Sequence, residues 1–202
     1  MTLHPQAVAA LELWSTGPSV ANPGFDVSEV DAMRAEARTL AATEEREDVD
    51  RVEDVDADGV RCRLYIPAGA PSALLRTVVF LHGGGFVFGD VDTHDAQARR
   101  LANRTRSAVL AVDYRRPPEH PFPSAPDDVD TVLAWLLVHA SGLGLDLGRI
   151  VALGDSAGGN LALVAALRNP NVLAACVLVY PFVDAEMGSP SYAAGNAGLT
   201  RA

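Results

Sequence analysis

Ile150-Val151-Ala152-Leu153-Gly154-Asp155-Ser156-Ala157-Gly158 decides how this chain folds. An unbroken apolar run leads into G-x-S-x-G, and helix formers follow from Asn160 to Leu167. Strand, tight turn, helix is the context that mounts a serine on a nucleophile elbow. Glycines at 154 and 158 remove the side chains that would clash on such a turn. The helix behind it aims free N–H groups and a partial positive charge at the serine.

Working outward, the same pattern recurs. Thr77 to Leu81 is a second apolar strand, and it ends on a second glycine-rich stretch, His82-Gly83-Gly84-Gly85. Val78 to Leu81, Ala108 to Val112, Ile150 to Leu153 and Ala174 to Val179 read as strands buried on both faces. Helical patterns alternate with them over 95–105, 126–140 and 157–167. The alternation predicts right-handed crossovers and a mostly parallel, doubly wound α/β sheet. Both glycine loops then stand at the C-terminal ends of strands, where such sheets form their sites.

The flanks differ. Residues 49–66 alternate apolar and polar about the turn signal Asp58-Gly59, which predicts a hairpin at a sheet edge. Before it lie two helical patterns: residues 4–16, and a stretch opening with Ser28 as N-cap and continuing through Val30, Met33, Ala37 and Leu40. These divide the chain into an N-terminal helical segment, 1–45, and an α/β domain, 46–202. After Pro181 the sequence turns rich in Ala, Gly and Ser and carries no strand signal.

Composition narrows the class. A chain of 202 residues, 49% hydrophobic and 21% charged, can bury one sizeable core. Its formal net charge of -10 argues against a nucleic-acid partner, which would want a basic face. No apolar stretch is long enough to span a membrane. The N-terminus lacks a basic segment followed by an apolar one, so no signal peptide is expected. Two cysteines, Cys62 and Cys176, suggest a reducing compartment, and with it the cytoplasm.

Acyl transfer requires a nucleophile, a base for its proton, and donors for the developing oxyanion. Ser156 is the candidate nucleophile. The N–H of Ala157 is one candidate oxyanion donor. Others should come from the 82–85 loop, chiefly Gly84 and Gly85, where no Cβ obstructs the substrate oxygen. No metal site is expected.

With these motifs stands a third, Asp113-Tyr114-Arg115-Arg116-Pro117-Pro118-Glu119-His120-Pro121, between the other two. Together they resemble the hormone-sensitive-lipase family of α/β-hydrolases. The resemblance implies short-acyl ester hydrolysis through an acyl-serine at Ser156. It implies oxyanion donors at Gly84, Gly85 and Ala157, a loop-shaping role for His82 and Gly83, a helical cap at the N-terminus, and no cofactor. Arg116 and Pro117 stand where that family commonly has leucine and alanine. The family's triad continues from serine to an aspartate and a histidine on later loops. Here His4, His82, His94, His120 and His139 all precede Ser156, and only Asp184 and Glu186 follow it as acids. The expectation is a hydrolase fold short of its last strands and helices, nearly inactive alone, with an exposed sheet edge prone to self-association. A hydrolase-like pocket that binds a small ligand without chemistry is the alternative. A separate chain supplying the base is the third reading.

Overall fold

The computed structural model describes residue 6, residues 26–70, residues 74–186 and residue 188. Most of the expected 4–16 helix, and most of the stretch after Glu186, lie outside the described residues. The chain divides into two units, residues 34–182 and residues 1–33 with 183–202. Of the second, the described residues hold a 3-10 turn, Val27–Glu29, and the start of helix α1 (Val30–Ala41). Asp26 caps the 3-10 turn, its carboxylate accepting the N–H of Ser28 at 2.9 Å, and Ser28 lies inside that turn.

In the larger unit, alternation sorts strand side chains onto two faces. Along β3 (Leu75–Leu81), Val79 and Leu81 face one way and Val78 and Phe80 the other. Along β4 (Ala108–Val112), Leu110 and Val112 join the first set, Val109 and Ala111 the second. Helices α3 (Ser124–His139) and α4 (Ala157–Arg168) close the first face through Val129, Leu133, Leu136, Leu161 and Ala165. Helix α2 (Asp95–Thr105) closes the second with Ala98 and Ala102. Strands with apolar residues on both sides thus lie between two helical layers.

With β1 (Arg51–Ala57), β2 (Val60–Ile66), β5 (Leu145–Asp155) and β6 (Ala175–Val179), the sheet runs β1-β2-β4-β3-β5-β6. The pairs β3–β4, β3–β5 and β5–β6 are parallel. The β1–β2 hairpin is antiparallel and lies at the sheet's edge, as its turn signal implied. Asp58 and Gly59 turn it at φ 53° and 91°, the double positive φ of a hairpin turn that follows the strand twist. β5 starts at Leu145, earlier than its apolar run: Leu145 and Asp146 pair with Leu75 and Arg76, and the register then shifts between Arg76 and Thr77, so that Thr77 pairs with Ile150. β6 ends the sheet. Its exposure alternates, so it is not buried on both faces, and Val177 and Val179 are 44% and 39% exposed.

Candidate active site

β5 delivers Asp155 and Ser156 to the C-terminal edge of the sheet, and α4 begins at Ala157. Ser156 sits at φ 52°, ψ -115°, a conformation that non-glycine residues hold only when their surroundings enforce it. The enforcement is visible. Ser156 N–H donates to the Val179 carbonyl at 2.9 Å, and the Ser156 carbonyl accepts from Phe182 N–H at 3.1 Å. A Cβ at Gly154 would collide with the Gly158 carbonyl. One at Gly158 would collide with the carbonyls of Leu81 and His82. The missing side chain at 158 therefore lets the start of α4 rest against the end of β3, bringing the two glycine loops together.

In the second loop, His82 is buried and stacks on Tyr114, with ring centroids 4.3 Å apart. Its Nδ1 meets the Gly83 carbonyl at 2.8 Å, and Tyr114 donates its hydroxyl proton to the His82 carbonyl at 2.7 Å. Burial, with the neighbouring His94 adding to it, pushes the His82 pKa down to about 3, so the ring is neutral. Gly84 and Gly85 have φ of 124° and 60°, left-handed values that favour glycine. The Gly84 carbonyl accepts from Val87 and Phe88, which folds the loop back on itself. Among the described residues the N–H groups of Gly84, Gly85 and Ala157 have no acceptor. The Ser156 hydroxyl likewise has no hydrogen-bond partner among them.

The two loops are bolted together by Asp155, which is 9% exposed. Its Oδ1 accepts the N–H of Gly83 at 3.1 Å, and its Oδ2 accepts the hydroxyl of Tyr180 at 3.2 Å. Behind the loop, buried Arg34 donates to the carbonyls of Val87 at 2.9 Å and Pro117 at 2.7 Å, and pairs with Glu119 at 2.7 Å. Arg116 reaches the Gly89 carbonyl and pairs with Asp113. The departure at 116 is thus tied into the same loop.

Among the described residues no histidine is hydrogen-bonded to Ser156. His94 Nδ1 meets Thr93 Oγ1 and the Asp90 carbonyl, and His139 stacks on Trp135 and meets its carbonyl. His120 follows the cis Pro117-Pro118 bond in an exposed turn, and His4 lies outside the described residues. Among the described residues no cluster of three or more His, Cys, Asp or Glu side chains could hold a metal. None of their helices is long and apolar enough to cross a membrane.

Sequence reasoning paired Ser156 with the 82–85 loop, but it missed Tyr180, Phe182 and the edge-to-face contact of Phe182 with Phe86 at 6.4 Å. The only signal was Tyr180-Pro181, a turn following a strand.

The family described as the α/β hydrolase fold matches residues 78–202, and the chain belongs to it, in its hormone-sensitive-lipase-like branch. It is 45% identical over 123 residues to esterase LipI of Mycobacterium tuberculosis, covering 58% of this chain and 38% of that protein. It is 34% identical over 206 residues to an ethyl acetate hydrolase of Pseudomonas putida, covering 95% of this chain and 64% of the relative. A solved hyperthermophilic esterase from the archaeon Pyrobaculum calidifontis superposes with a TM-score of 0.81 at 37% identity, over 94% of this chain and 62% of that one. The chain therefore spans less than two thirds of the length of each of these relatives.

Proposed function

We propose that this chain carries the nucleophile and oxyanion site of a carboxylic-ester hydrolase acting on short acyl groups. Ser156 Oγ attacks the ester carbonyl, the alcohol leaves, and water then releases the acid from the acyl-serine. The N–H groups of Gly84, Gly85 and Ala157 receive the oxyanion, and each such donor is worth about 3–4 kcal/mol of barrier. His82 and Gly83 shape the donor loop. The observation that carries this reading is the backbone of Ser156, held at φ 52° at the head of α4, with the glycine loop tied to the neighbouring Asp155 through the Gly83 N–H. The esterase names of the relatives support the substrate class.

These 202 residues alone are expected to be slow. Among the described residues no imidazole is bonded to the Ser156 hydroxyl, and without a base only binding and the oxyanion donors act, roughly 10³–10⁴ over water. The direct test is turnover of nitrophenyl butyrate by the purified chain and by Ser156→Ala. Weak hydrolysis lost in the variant is expected; hydrolysis that survives in the variant ends the proposal. The lack of a histidine bonded to Ser156 among the described residues favours the second reading, a pocket that binds a small ligand without chemistry. Absent fluorophosphonate labelling, together with tight ligand binding, would select it. A base arriving on another chain predicts labelling that appears only when that chain is added. Self-association through β6 belongs to the same reading, since that edge carries no charge.

A further inference from the structure

Four hydrogen bonds fasten the segment leaving β6 to the elbow. Ser156 N–H donates to Val179, Phe182 N–H donates to Ser156, and Asn160 Nδ2 donates to Phe182 at 2.7 Å. The fourth comes from Tyr180. That residue is 71% exposed and sits at φ 34°, a backbone region that a bulky side chain avoids. An exposed ring gains little packing in return, yet its hydroxyl turns back 3.2 Å to the buried Asp155. Partial burial and the Asp155 charge raise the Tyr180 pKa, so the hydroxyl keeps its proton and donates at neutral pH.

The other carboxylate oxygen holds Gly83, 3.1 Å away, in the oxyanion loop. Gly83 lies so close that a Cβ there would strike Asp155 Oδ2, so loop and carboxylate move together. Without the tyrosine, Oδ2 loses its partner in a largely buried place and the carboxylate is free to re-aim toward water. Gly83 is adjacent to the candidate donor Gly84.

We infer that Tyr180 is a positioning residue that acts through Asp155 to hold the oxyanion loop in register with Ser156. This rests on the acyl-serine reading for its consequence, though not for its geometry.

The test uses the full 202-residue chain and two variants, Tyr180→Phe and Asp155→Asn. The asparagine keeps an acceptor for Gly83 and offers an N–H to the Tyr180 oxygen, so it preserves both bonds. Amide hydrogen exchange at Gly83, read by NMR, should quicken roughly tenfold in Tyr180→Phe and stay within about threefold of the parent in Asp155→Asn. The rate of fluorophosphonate labelling at Ser156 should fall roughly tenfold or more in Tyr180→Phe, with the melting temperature little changed. Unchanged Gly83 exchange in Tyr180→Phe overturns the inference. So does faster exchange with unchanged labelling, which would make the contact structural only. A parent chain that does not label counts against the acyl-serine reading for this chain acting alone, and not against the geometry. The inference is then decided by whether the amide shifts of Gly83, Gly84 and Gly85 move in Tyr180→Phe and hold in Asp155→Asn.

Discussion

At Gly158 a single hydrogen separates α4 from β3. A methyl group there would land on the carbonyls of Leu81 and His82, which are backbone and cannot swing aside. Gly158→Ala is expected to lower stability by about 3 kcal/mol or more, seen as a drop in the urea midpoint. Gly142→Ala is the control. Nothing lies within 4 Å of its Cβ position, so it should stay within about 0.5 kcal/mol. His82 makes a different prediction. Its folded pKa of about 3 lies below the ordinary histidine value of 6.5. The unfolded chain therefore binds the extra proton first as pH falls, and stability present above pH 6.5 is lost on the way down toward pH 3. Burial lowers the His94 pKa as well, so it adds to the loss. The slope is at most about 1.4 kcal/mol per pH unit for each histidine. Urea midpoints taken between neutral pH and pH 4 check it. A flat profile would mean that His82 is not closed off from water.

Elements show what one-dimensional reading can and cannot reach. β4 and α2 have the boundaries that their patterns predict, because each is a single uninterrupted signal. β5 does not. Asp146, Gly148 and Arg149 hide its first half, and only the partner residues Leu75 and Arg76, far away in sequence, make that half a strand. The two glycine loops of the site were legible because each carries its chemistry within a few consecutive residues. The Asp155–Gly83 and Asp155–Tyr180 bonds link residues 72 and 25 apart, and no spacing rule announces them. Helix α2 also ends in a way that can be improved. Arg106 closes it in the left-handed region at φ 49°, where glycine is favoured. Arg106→Gly is expected to stabilise by about 0.5–1 kcal/mol, read by thermal melting; a loss would show that the arginine side chain contributes more than its backbone strain costs.

For the molecule as a whole, the two sheet edges are unlike. β1 displays Arg51, Glu53 and Asp54 to solvent, the usual guard against strand pairing. β6 runs Ala175-Cys176-Val177-Leu178-Val179 without a charge or a proline. Association of copies should start at β6, opposed by the net charge of -10 and therefore promoted by salt. Val177→Lys, on an already exposed position, should reduce it at every salt concentration. Sedimentation of parent and variant at low and high salt decides the point: equal association in both would place the contact elsewhere.

The torsion at Ser156 has a consequence for how the protein comes into being. Its carbonyl and amide are gripped by Phe182 and Val179, so residues made some two dozen positions later are needed to bend it. While translation has yet to extrude them from the ribosome, the serine is an ordinary residue in relaxed backbone. Reactivity toward an acylating reagent should then appear only once Val179 through Phe182 have left the exit tunnel.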